Sequence, residues 1–74
     1  MSPEKLIRMA NQIATFFRTK PHEEAVMGVA EHISNFWEPR MRARLFDLLS
    51  DNCQGLDPLV IEAKDYIRPV EENA

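Results

Sequence analysis

The sequence predicts an all-α protein, a small bundle of three to four helices that opens with an antiparallel helical hairpin. Three observations carry this expectation. Apolar residues recur at three- and four-residue steps along most of the chain, prolines punctuate it at Pro3, Pro21, Pro39, Pro58 and Pro69, and no stretch alternates apolar with polar residues as a half-buried strand would. The expected helices cover residues 3–18, 22–37, 39–52 and 58–68, within a single domain over residues 1–68 followed by a flexible C-terminal tail at 69–74.

The first helix has a start signal in Ser2-Pro3-Glu4: serine caps, proline suits a position whose N–H has no partner, and glutamate suits the positive end of the helix dipole. At about 100° per residue, Leu6, Ile7, Met9, Ala10, Ile13, Ala14, Phe16 and Phe17 fill one half of the wheel. Glu4, Lys5, Arg8, Asn11, Gln12, Thr15 and Arg18 fill the other. Pro21 restarts the chain, and Glu23 and Glu24 fall in the next first turn. The second stripe is Val26, Val29, Ala30, Ile33, Phe36 and Trp37, with Glu24, Gly28, Glu31 and Asn35 opposite. The stripes match at an offset of 20 residues, from Leu6 with Val26 to Phe17 with Trp37. A duplicated unit accounts for this, and so does the similar face that two packed helices need. The short connection between them makes antiparallel neighbours the expected arrangement.

Pro39 ends the second helix and begins a third, on which Met41, Leu45, Leu48 and Leu49 share a face. Gly55 supplies a stop after Ser50-Asp51-Asn52. Asp57-Pro58 caps and opens a fourth, with Leu59, Val60, Ala63, Tyr66 and Ile67 on one side before Pro69 halts it. A helix shorter than about 12 residues is marginal alone, so this last one must dock to persist.

Leu, Ile, Val and Phe make 26% of the 74 residues, above the range of disordered chains. A chain of this length builds a thin core and draws on close helix packing or a partner for stability. Cys53 is the only cysteine, so no disulfide forms within the monomer, and a lone thiol suits a reducing, cytoplasmic setting. The longest apolar runs, Ala25-Val26-Met27 and Leu59-Val60-Ile61, are far short of the roughly 20 residues of a membrane span. Net charge is −3, against a general affinity for nucleic acid, but it is uneven: residues 1–44 carry +2 and residues 45–74 carry −5.

Little in the chain suits chemistry. His22 and His32 would project in different directions from one helix, Cys53 has no metal-ligand partner nearby, and the neighbouring pairs Glu23-Glu24 and Glu71-Glu72 would diverge. Gly28 and Gly55 cannot build a phosphate-cradling loop. Catalytic, cofactor and metal sites are therefore not expected. The densest feature is Phe36-Trp37-Glu38-Pro39-Arg40-Met41-Arg42-Ala43-Arg44. Arginine forks and tryptophan favour interfaces, so the candidate partner-binding residues are Trp37, Pro39, Arg40, Arg42, Arg44 and Phe46. Two countervailing readings stand beside this: Trp37 lies mid-stripe, where it suits the core, and Arg44 can pair with Asp47. Phe46 lies about 140° from Met41, outside the stripe, which fits either a contact surface or burial under the fourth helix. With Arg42 and Phe46 on the surface, Arg42→Glu combined with Phe46→Asp would weaken partner binding and leave the helices folded.

Met9-Ala10-Asn11-Gln12-Ile13-Ala14 with Phe16-Phe17, then Gly28-Val29-Ala30-Glu31-His32-Ile33, then Phe36 through Arg42, and later Leu56-Asp57-Pro58-Leu59, form a pattern spanning most of residues 2–60. It resembles the delta subunit of the soluble NAD-dependent formate dehydrogenases, most specifically through Trp37, Pro39 and Arg42. The resemblance implies a non-catalytic subunit of a cytoplasmic molybdenum- or tungsten-dependent complex that oxidises formate to carbon dioxide and reduces NAD. The molybdopterin, iron–sulfur clusters and FMN would belong to larger subunits, with none in this chain. The implied role is to stabilise or assemble the complex, against the large catalytic subunit, with no membrane or nucleic-acid partner. A transient assembly chaperone and a helical adaptor binding nucleic acid through Arg40, Arg42 and Arg44 are the alternatives. Surplus apolar surface on so thin a core also makes self-association of the isolated chain an expectation.

Overall fold

A computed structural model describes residues 2–51 and 55–70. Among them are four α-helices and no strand: α1 Pro3–Phe17, α2 His22–Phe36, α3 Pro39–Ser50 and α4 Pro58–Ala63, the last continuing into a 3-10 turn at Lys64–Tyr66. Prolines occupy the first turn of α1, α3 and α4, where the missing N–H has no intrahelical acceptor to lose. Ser2 Oγ accepts the Lys5 N–H at 3.2 Å and Asp57 Oδ1 accepts the Leu59 N–H at 2.9 Å, so α1 and α4 begin on side-chain caps. Glu38 is extended at ψ 154°, as a residue before proline must be, and this separates α2 from α3.

The hairpin is antiparallel: Phe17 at the end of α1 lies against Gly28, while Met9 and Ile13 share a groove with His32 and Trp37. Its contact face is narrow. Leu6, Ala10 and Ala14 of α1 meet Ala25, Val26, Val29, Ala30 and Ile33 of α2 in one core that includes Leu45 of α3 and Leu59, Val60 and Ala63 of α4. The alanines let the helix axes approach closely. At Gly28 the approach is closest, since a Cβ there would lie 2.5 Å from Phe17 Cδ1. Glycine is thus fixed at a position whose place on the wheel, opposite the apolar stripe, suggests solvent.

Three expectations from the periodicity are corrected. Phe16 and Phe36, assigned to the buried stripes, are 69% and 73% exposed. Neighbouring residues diverge by about 100°, so Phe17 and Trp37 take the inward positions and Phe16 and Phe36 turn out. The third helix stops at Ser50 rather than 52; Asn52 and Cys53 lie outside the described residues, and Gly55 takes a positive φ of 99° at the end of that connection. The fourth helix does not run to 68. Its α-helical part ends at Ala63, Ile67 is extended, and the Arg68 N–H donates to Ser34 Oγ at 2.9 Å. That bond to α2 replaces a helical one, keeps Ile67 buried and leaves Tyr66 exposed.

Candidate functional site

Two features join the helices around the start of α4. Asn11 Nδ2 donates to Gly55 O at 2.7 Å, and Asn11 Oδ1 accepts the Asp57 N–H at 2.8 Å. Asp57 also forms an ion pair with Arg18. One asparagine on α1 thereby holds the connection into α4, and one aspartate both caps that helix and meets the end of α1. Beside this, His22 Nε2 lies 2.9 Å from Glu62 Oε1, a surface contact between α2 and α4. His32 is elsewhere, its ring 4.8 Å from that of Phe36, so the two histidines do not converge.

The six candidate partner-binding residues fall into three environments. Trp37 is buried in the core beyond the end of α2, and its backbone N–H donates to Ile33 O at 3.1 Å. Pro39, Arg40 and Arg44 are exposed on α3. Phe46 is half-buried and packs against the core. Arg42 is the departure from expectation: it is 7% exposed, and its Nη1 donates to Ser34 O at 3.2 Å. A carbonyl in the last turn of α2 lacks a helical partner, and a guanidinium there also meets the negative end of the dipole. Arg42 therefore fastens α3 to the end of α2, and the double substitution Arg42→Glu with Phe46→Asp would not leave the helices folded.

The two most exposed large apolar side chains, Phe16 and Phe36, lie on the hairpin, with Met27, Ile61 and Tyr66 exposed to a lesser degree. Phe16 stands edge-on to Phe17 with ring centroids 5.0 Å apart, and the groove beside them is lined by Met9, Gln12, Ile13, His32 and Trp37. Phe36 stacks on His32 at the far end. No Asp, Glu, Lys or Arg lines this groove. Met9, Ile13, Phe16 and Phe17 were legible in the sequence as core, Trp37 as core or contact, and Gln12 as polar face; the usable signal was the paired aromatics Phe16-Phe17 and Phe36-Trp37, of which one member in each must leave the stripe. Among the described residues no group of three His, Cys, Asp or Glu is placed to share a metal ion, and no helix is long and apolar enough to cross a membrane.

Comparison with curated proteins gives no match. Comparison with family models gives one that spans residues 5–64, covering most of α1 and all of α2, α3 and α4. By that match the chain belongs to the family of NADH-dependent formate dehydrogenase delta subunits, FdsD.

Proposed function

We propose that this chain is a non-catalytic delta subunit that stabilises or assembles a cytoplasmic, molybdenum- or tungsten-dependent formate dehydrogenase through protein contacts, with the large catalytic subunit as its principal partner. The cofactors belong to the larger subunits in this reading. The observation that carries it is the groove between α1 and α2, free of Asp, Glu, Lys and Arg, with exposed Phe16 in its lining and exposed Phe36 against its His32. Two large aromatic side chains left in water beside a mainly apolar groove on so small a protein mark a surface that a partner covers. The exposed Arg40 and Arg44 and the adjoining Pro39 extend the surface along α3. Aromatic anchors supply most of the binding energy at such contacts, and a charged rim contributes mainly to association rate and specificity.

The test is a tagged copy of the chain purified with its complex at moderate salt, alongside Phe16→Glu combined with Phe36→Glu. Both side chains are exposed, so the variant keeps its helical circular dichroism. It is expected to lose the large subunits, because a carboxylate set into an apolar contact costs about 2 kcal/mol or more at each site. Undiminished recovery of the complex with a folded variant removes this groove as the contact. Recovery of the large subunits in fixed proportion with formate-dependent NAD reduction identifies a subunit, and recovery with inactive, cofactor-poor enzyme identifies a transient assembly factor.

A further inference from the structure

The C-terminal end of α2 carries more positive charge than its own groups neutralise. Arg42 is buried, makes one hydrogen bond to a neutral carbonyl at Ser34, and has an Nε without any partner. Arg68 reaches the same helix end, donating Nη2 to Asn35 Oδ1 at 3.2 Å. Among the described residues no carboxylate lies within ion-pairing distance of either. A helix C-terminus is equivalent to about half a negative charge. Two guanidinium groups exceed it, while Glu31, which shares a second groove with Arg68, and Glu38 lie outside ion-pairing distance. Both arginines line one open groove whose other walls are Pro39 and Pro69.

The groove offers its donors to an anion. Guanidinium N–H groups lie in a plane and match the two oxygens of a carboxylate. They match phosphate oxygens as well, and the carboxylate is the choice here because the partner in the reading above is a protein. A carboxylate arriving here would supply the counter-charge that the buried Arg42 lacks, in surroundings where screening by water is weak. We propose that the Arg42–Arg68 groove is a receptor for an aspartate or glutamate side chain of the protein that holds this subunit in its complex. This rests on the subunit reading above and adds a second contact, separate from the Phe16 and Phe36 surface.

Two experiments test it. In the full chain, sodium acetate serves as the probe against sodium chloride at equal ionic strength, followed through the side-chain Nε–Hε resonances of Arg42 and Arg68 by NMR. Acetate is expected to shift both saturably, and Arg68→Met to abolish the response at Arg42 while circular dichroism stays helical. No response, an equal response to chloride, or a stronger response to phosphate overturns the carboxylate site. A response that appears only after deletion of residues 71–74, which include Glu71 and Glu72, gives the groove to the chain's own tail and overturns the partner assignment. In the complex, Arg68→Glu is expected to weaken association by about tenfold or more, as reversal of a charge facing a carboxylate does. Unchanged association, with the acetate response lost in the free variant, also overturns it. Failure of Phe16→Glu with Phe36→Glu to release the partner sinks the apolar contact alone, so the two readings fall separately.

Discussion

Arg42→Glu is expected to unfold the isolated chain. The substitution places a carboxylate where the guanidinium donates to Ser34 O, beside the negative end of α2, and in a site only 7% exposed. A carboxylate buried there without a partner costs several kcal/mol, and repulsion from the helix end adds to it. Native domains have about 5–15 kcal/mol in all, and one of 74 residues belongs near the low end. Loss of far-ultraviolet circular dichroism at room temperature is the expected reading. A cooperative urea transition at the wild-type midpoint would show that Arg42 fastens nothing. Arg42→Met separates charge from packing, because methionine retains much of the apolar stem. It gives up one hydrogen bond and also removes an unpartnered Nε, so its expected cost is about 1–2 kcal/mol, and the variant stays folded.

The second large effect belongs to the junction at the start of α4. Asn11→Ala removes the bonds to Gly55 O and from the Asp57 N–H, and leaves a part-buried backbone donor without an acceptor. Asp57→Ala removes the helix cap and the pair with Arg18. Each is expected to lower stability by about 1–3 kcal/mol, the cap contributing more than the ion pair because the Arg18 side chain is 57% exposed. The double variant is expected to cost less than the two single changes together, since both loosen the same connection. Strict additivity in urea denaturation would show that Asn11 and Asp57 act independently.

What the sequence made legible was local. Pro3, Pro39 and Pro58 with their preceding residues located three helix starts, and the spacing of Leu6, Ala10 and Ala14 and of Val26, Val29, Ala30 and Ile33 located the hairpin core. Periodicity has an angular width, however, and at the edge of a stripe it cannot choose between Phe16 and Phe17 or between Phe36 and Trp37. The choice depends on which partner helix is near, here on Gly28 receiving Phe17. The burial of Arg42, the break after Ala63 and the polar role of Asn11 all depend on groups distant in sequence: Ser34 for the first two, Gly55 and Asp57 for the third. Of the candidate binding residues, Trp37 and Arg42 lie inside the molecule, and their conspicuous chemistry shapes the surface that Pro39, Arg40 and Arg44 present. Arg68 stood apart from the arginine cluster in sequence and joined it only through the end of α2.

The Asn11 clamp also sets an order of assembly. It closes across 44 and 46 residues, whereas the α1–α2 hairpin closes across a short turn. Chain-closure entropy must be met before such distant contacts give anything back, and α4 is too short to wait as a preformed helix. The hairpin is therefore expected to form first and α4 to seat last, after the rate-limiting barrier. Substitutions at Leu59 and Val60 should accordingly speed unfolding and leave the folding rate nearly untouched, while those at Ala30 and Ile33 slow folding. On the ribosome this means that most of the chain can already be compact before its final segment finds the place that Asn11 and Ser34 hold for it.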